Sequence, residues 1–388
     1  MMSNKMIGII AEWNPFHKGH EYLISTLREQ VGDAPILAAM SGSFVQRGEP
    51  SLFDKWTRAG WALEGGVDIV IELPTLCVIQ SADIFAERSV KLLAASGCRG
   101  ICFGSESLGK EELLDAASFS LTSLYLRHLH KGLDDGLSYA DAAYEAMKEH
   151  SKALADELKK PNNLLGFRYV ESILRHRYDM DIYVIHRSEV KNMSATRARE
   201  NLISSGRCSL LPSYASKEAI QLMKEGRYTD YKRYEDSCLL LSRLMTKDEL
   251  EETRLFTEGL DNKWFKESQS KDYSTMLMNI KSKRYLYSRL KRISAALLLS
   301  NQGPSIFTCP IEPSYARILG LRKEKSSLIN DIHLPVVTSI AKALRTLPKE
   351  ALASLKIDVK ATDIFSYCQT ANEYRASRLD FYEHPIIL

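Results

Sequence analysis

Two histidines three residues apart, His17 and His20, bracket a lysine and a glycine in the stretch Trp13-Asn14-Pro15-Phe16-His17-Lys18-Gly19-His20. An imidazole can donate an N–H to a phosphate oxygen. Two of them in one turn suit a reaction in which phosphate oxygens gain charge as pyrophosphate departs. That is transition-state stabilisation, with no covalent intermediate on the protein. Gly19 lets backbone approach a ligand with no Cβ in the way. Neither a GxxxxGK[ST] loop nor a GxGxxG fingerprint is present, so the turn is not one of the familiar phosphate cradles. A histidine pair also arises by chance or binds a metal. The elements on either side have to decide.

Ile7-Gly8-Ile9-Ile10-Ala11 reads as a buried parallel strand, and Glu21 to Arg28 has helical spacing with Tyr22, Leu23 and Leu27 on one side. The histidines therefore lie in a strand-to-helix turn, where open α/β sheets hold nucleotide phosphates against free N–H groups and a positive dipole end. In that setting the turn resembles the HxGH signature of the nucleotidylyl-transferase superfamily. Its members act at the α-phosphate of a nucleoside triphosphate and release pyrophosphate.

Further strands are expected at Ala34–Met40, Val67–Pro74, Gly100–Glu106 and Asp181–Arg187, with helices between them. This alternation is the doubly wound parallel-sheet pattern. Arg47 and Lys55 are placed to reach triphosphate oxygens, although a solvated cationic surface is as common. Asp68 reads as structural, and Glu72 as the carboxylate facing the cleft. Lys110 to Lys160 reads helical; His128 and His130, two apart on a helix, share no face and read as surface residues. An asparagine of Pro161-Asn162-Asn163 either caps the helix that follows or contacts a nucleotide. Met193-Ser194-Ala195-Thr196-Arg197-Ala198-Arg199 opens another helix. Hydroxyls and an arginine at a helix N-terminus suit a polyphosphate, and the stretch resembles the superfamily's second signature, SxTxxR.

Length and composition set the outer limits. A chain of 388 residues, 45% hydrophobic and 26% charged, reads as an ordinary soluble protein of two or three domains. No run reaches membrane-spanning length and no secretion signal is seen. Seven dispersed cysteines without CxxC pairs suggest reduced thiols and a cytoplasmic setting, and no structural metal site. A net charge of +3 leaves any nucleic-acid argument to local clusters. After Leu210-Leu211-Pro212 the alternation fades into helices. Lys281 to Arg292 carries Lys281, Lys283, Arg284, Arg289, Lys291 and Arg292 with two tyrosines and no acid, which fits a helix facing an RNA backbone and equally an exposed cationic helix with its tyrosines packed inward. Arg317, Arg322 and Lys323 add positive charge downstream. The expected fold is α/β: a Rossmann-like parallel-sheet nucleotidylyl-transferase domain over residues 1–205, followed by a mostly α-helical RNA-binding domain over 206–388.

The longer words of the sequence are more specific. Glu12 to His20, Met40 to Pro50, Asp68 to Pro74, Phe103-Gly104-Ser105-Glu106 and Pro161 to Gly166 together resemble the bacterial tRNA(Met) cytidine acetate ligase family. The likeness covers nearly the whole chain; Trp13 stands where that family's tyrosine is expected. The resemblance implies an enzyme that joins acetate to AMP from ATP, with Mg2+, and passes acetyl to the wobble cytidine of elongator tRNA(Met). Carried over by position, it implies His17 and His20 as catalytic residues. ATP contacts fall on Ile10, Ala11, Glu12, Trp13, Asn14, Pro15, Phe16, His17, Lys18, Gly19, His20, Glu21, Tyr22 and Leu23. Further contacts fall on Gly104, on Asn162 or Asn163, on Arg187 with Ser188, and on Ser194, Thr196 and either Arg197 or Arg199. Two rivals remain: an adenylyltransferase making a cofactor precursor, which would not need so large a helical half, and a nucleotide-dependent RNA-binding protein without catalysis, for which the histidine pair would be superfluous. Oligomeric state is not legible.

Overall fold

The structure is a computed structural model that describes residues 5–187, 193–257, 259–282, 285–300 and 310–388. Its centre is a sheet whose first strands are β1 (Ile7–Ala11), β2 (Ile36–Ser41), β5 (Ile69–Leu73), β6 (Gly100–Ser105) and β7 (Asp181–His186). All five are parallel, in the order β5-β2-β1-β6-β7. They are apolar almost throughout because helices cover both faces, leaving no wet side to demand alternation. A short antiparallel hairpin, β3 (Phe44–Val45) with β4 (Glu49–Pro50), projects beyond the end of β2.

One helical layer is formed by Ala82–Ala95, Lys110–Ser120 and Pro161–His176, and the other by Lys18–Val31, Lys55–Glu64 and Ser213–Glu225. The stretch after Lys110 is helical as expected, in four short pieces ending at Glu157. Asp68 is structural: its Oδ2 accepts from Ile36 N at 2.8 Å and from Arg28 at 3.0 Å, tying β2 to the helix before it.

Beyond residue 205 the chain is mostly helical, with helices such as Tyr231–Leu244, Tyr273–Ile280, Tyr287–Ser300 and Lys349–Tyr367. It also returns to the sheet. Strand β8 (Ala316–Leu321) lies antiparallel against β5, and β9 (Val336–Val337) and β10 (Ile386–Ile387) lie parallel to β8. The expected surface charge of Arg317 and Arg322 is corrected by this strand. Arg317 is buried, and Arg322 bonds the carbonyls of Leu63 and Val67 at 2.5 and 3.2 Å. Among the described residues no helix is long and apolar enough to cross a membrane.

The same return corrects two cleft assignments. Lys55 and Glu72 are fully buried and paired at 2.8 Å, and Lys55 also meets Asp380 at 2.9 Å. Arg317 completes the group, 3.2 Å from Glu72 and 2.8 Å from Asp380. Neither Lys55 nor Glu72 faces a nucleotide. Charges this deeply buried persist because each is matched.

Candidate active site

The parallel strands run outward from β1 in both directions, so the sheet's switch point lies between β1 and β6, where α/β folds bind ligands. The chain leaves β1 through a tight turn. Trp13 takes a left-handed conformation with φ of 44°, and the Asn14–Pro15 peptide is cis. Asn14 and Phe16 are buried, and the rings of Trp13 and Phe16 meet edge to face at 5.4 Å.

His17 is the N-cap of the Lys18–Val31 helix. Its Nδ1 accepts from Gly19 N at 3.0 Å, while the Nδ1 of His20 accepts from His17 N at 3.2 Å. This is a capping box built from two imidazoles in place of the usual hydroxyl and carboxylate. The rings stack with centroids 3.7 Å apart. Because both Nδ1 atoms accept, both protons sit on Nε2, and two N–H donors remain for a ligand. Burial, then the nearby Arg187 charge, lowers the His17 pKa to about 4. Burial followed by His17 and Arg187 holds His20 well below its ordinary value. Both are neutral donors at pH 7.

Gly19 has a tighter reason to be glycine than ligand approach: a Cβ there would lie 2.9 Å from His17 Cε1. Gly104, near the end of β6, faces Arg187 and Leu23, whose carbons would lie 3.3 and 3.6 Å from a Cβ. Arg187 follows β7, its backbone N–H held by Ser105 O at 3.0 Å, and its guanidinium bonds Met193 O at 3.1 Å. Ser188 lies outside the described residues. Ser194 caps the Ala195–Ser205 helix by accepting from Arg197 N at 3.2 Å. Arg199, and not the exposed Arg197, reaches the histidine turn, bonding Asn14 O at 2.6 Å and Thr196 Oγ1 at 3.4 Å.

Neither asparagine caps its helix through its side chain. The carboxylate of Glu106 does so, accepting from Asn162 N at 3.2 Å and Asn163 N at 2.8 Å. Asn163 is buried and occupied by Ser105, Glu106 and Ser107, whereas Asn162 is half-buried. Lys18 turns away, bonding Ser209 O at 2.9 Å. Ile10, Glu21, Tyr22 and Leu23 are partly buried around the turn, and Ala11 and Pro15 are buried.

Two supports escaped the sequence reading. Arg58, fully buried, donates to Glu12 O at 2.6 Å, Ser41 O at 3.1 Å, Phe53 O at 3.2 Å and Gly42 O. It thus fixes the ends of β1 and β2 together. Ser209 and Leu210, at the break where the strand–helix alternation fades, hold Lys18: Ser209 O accepts from its side chain and Leu210 O from its backbone N–H, both at 2.9 Å. The spacing of three between histidines was the available signal for the capping box. The carbonyls gathered by Arg58 leave none. Glu12 sits beside this clamp, its Oε1 accepting from Gln46 N at 2.5 Å. Burial raises its pKa against that bond and the charges of Arg47, Arg199 and Arg58. Arg47 is exposed.

The basic stretch is not one helix. Lys281 is exposed and closes the Tyr273–Ile280 helix; the next begins at Tyr287. Lys283 and Arg284 lie outside the described residues. Arg289 packs over Tyr285 at 5.7 Å and bonds Thr257 at 3.0 Å. Lys291 pairs with Glu49 at 2.6 Å, and Arg292 is partly buried.

Residues 4–379 match the family model described as HIGH Nucleotidyl Transferase. A tRNA(Met) cytidine acetate ligase from Clostridium novyi is 33% identical, covering 98% of this chain and 99% of that protein. The Bacillus subtilis protein of the same name is 32% identical over 93% of this chain and 92% of its own. The crystal structure of Thermotoga maritima TmcAL bound with alpha-thio ATP superposes with a TM-score of 0.91, at 31% identity and 99% coverage of both chains. The chain therefore belongs to the HIGH nucleotidyl transferase family, among relatives that are tRNA(Met) cytidine acetate ligases.

Proposed function

We propose that this protein is an ATP-dependent acetate ligase acting on tRNA. It activates acetate as acetyl-AMP and transfers the acetyl group to N4 of the wobble cytidine of elongator tRNA(Met). The observation that carries the reading is the pair of neutral imidazoles at the switch point of the sheet, each with Nδ1 occupied by backbone and with no bond to Nε2 among the described residues.

In the first step an acetate oxygen attacks the α-phosphorus and pyrophosphate leaves. Acetate is ionised at neutral pH, since such acids titrate near ~4. His17 and His20 donate Nε2–H bonds to oxygens that gain charge, fixed by the capping box and therefore needing no rearrangement. Arg187 and Arg199, with the Ala195–Ser205 helix N-terminus between Ser194 and Thr196, are assigned to the polyphosphate. Gly104 and Asn162 are assigned to the nucleoside side. Asn163 acts through the loop it holds. Among the described residues no three His, Cys, Asp or Glu gather to hold a metal. Magnesium enters as part of the MgATP substrate, bound through its phosphates.

In the second step N4 attacks the acetyl carbonyl, AMP departs and N4 releases a proton. The cytidine must be unstacked to reach the adenylate, as in most recognition of single-stranded RNA. RNA-backbone contacts are assigned to Lys281, Lys283, Arg284, Arg289 and Arg292 of the basic stretch, its Lys291 being paired with Glu49, and the reaction to the cytoplasm, where ATP and tRNA meet.

Acetate-dependent exchange of labelled pyrophosphate into ATP tests the first step. Wild type exchanges label only with acetate present, and His20→Ala loses about 10²–10³-fold in rate, the usual cost of one such donor. Exchange independent of acetate, or unaffected by H20A, would overturn the assignment.

A further inference from the structure

The hairpin Phe44–Pro50 lies between the histidine turn and the helical half of the chain, and it is bonded to both. On one side Gln46 N donates to Glu12 Oε1 at 2.5 Å, and a little downstream Leu52 N donates to Asn14 Oδ1 at 2.7 Å. On the other side Gly48 O accepts from Tyr234 Oη at 2.8 Å, and Glu49 pairs with Lys291 at 2.6 Å. The tip is pressed onto the Tyr287–Ser300 helix: a Cβ on Gly48 would lie 2.7 Å from the Cα and N of Arg292. Thr229 then anchors the carbonyls of Ser51 and Leu52 at 2.6 and 2.9 Å.

Glu49 and Lys291 are 13% and 23% exposed in their side chains, so the pair is shielded and specific to this docking. Lys291 also lies 5.6 Å over the Tyr287 ring, and its charge is felt by Glu235. A lysine in the basic stretch is thus committed to a carboxylate that belongs to the nucleotide domain.

We infer that the hairpin couples RNA seated on the Tyr287–Ser300 helix to the nucleotide site, with Glu49 as a positioning residue acting through Gln46 and Glu12. The inference rests on the ligase reading above and adds a route by which its two substrates sense each other. A docked phosphate backbone that shifts this helix shifts the hairpin tip, and with it the bonds that set Glu12 and Asn14. Linkage makes the effect reciprocal: nucleotide tightens RNA by the factor that RNA tightens nucleotide.

The test is the dissociation constant of an elongator tRNA(Met) transcript for the full-length protein at fixed salt, with and without saturating α,β-methylene ATP and acetate. Wild type is expected to bind RNA at least about fivefold more tightly with nucleotide, the lower range of such couplings. Glu49→Gln brings that ratio below about twofold, and the swap E49K/K291E restores part of it. Gly48→Ala, which keeps every charge but strains a left-handed position against Arg292, also lowers the ratio. A merely structural pair would alter thermal stability and leave the ratio intact. A wild-type ratio near one, or a full ratio in E49Q, overturns the inference while the ligase reading stands. If wild type binds neither nucleotide nor RNA, both fall.

Discussion

His17 does two jobs with one ring. Its Nδ1 caps the helix, and on the proposed reading its Nε2–H donates to the reacting phosphate, so the chemistry would be held by the same bonds that start the element. The cost appears at low pH. In the unfolded chain His17 titrates near 6.5, whereas in the folded protein burial and Arg187 hold it at about 4. Below pH 6.5 the unfolded chain takes up a proton that the folded protein refuses. Stability is complete above 6.5 and falls as pH drops toward 4. Urea midpoints should show this fall, on the order of 3 kcal/mol for a shift of this size. His17→Asn, which retains a cap acceptor, should flatten it. An unchanged slope in H17N would assign the acid sensitivity to other groups.

At the scale of elements, buried charges carry the joints. Arg58 locks the ends of β1 and β2 by four carbonyls, and the Lys55 cluster locks β5 to β8 and the C-terminal tail. Lys55→Met leaves Glu72 and Asp380 with Arg317 as sole cationic partner in this cluster. It should lower unfolding free energy by about 3–5 kcal/mol, as for other buried pairs that lose one member. Denaturant unfolding checks this, and a loss below about 1 kcal/mol would contradict the cluster's role. The sequence made the five parallel strands legible, because buried apolar runs between glycine and proline stops have few other readings. It also carried both strand-to-helix turns, at His17–His20 and Ser194–Arg199. It could not assign Lys55, Glu72 or Arg317, whose partners arrive from distant parts of the chain with no local pattern to announce them. Strand β8 was hidden for the same reason, its arginine counting as surface charge until β5 was seen beside it. The basic stretch misled through composition: a run without acids reads as one helix, while the break before Tyr287 depends on packing.

For the whole molecule, catalytic sheet and helical half are interleaved, since β8 and β10 extend a sheet begun by β1. Removing Leu379–Leu388 deletes β10 and Asp380 together, and should lower the thermal midpoint of the whole protein in one transition. A second, unshifted transition would show an independent unit. On the proposed reading, RNA binding draws on charges of the helical half. Lys281, exposed at a helix end, is expected to contact a phosphate, so Lys281→Ala should reduce the slope of log affinity against log salt by about one. An unchanged slope would place the RNA elsewhere. Across these scales we propose one chain that activates acetate at the histidine turn and delivers it to RNA bound on its helical half. The most direct measurement incubates the protein with MgATP, labelled acetate and unmodified elongator tRNA(Met), then digests the RNA to nucleosides. Labelled N4-acetylcytidine is expected from wild type and none from His20→Ala. Acetyl-AMP formed with the RNA left unlabelled would contradict the proposal.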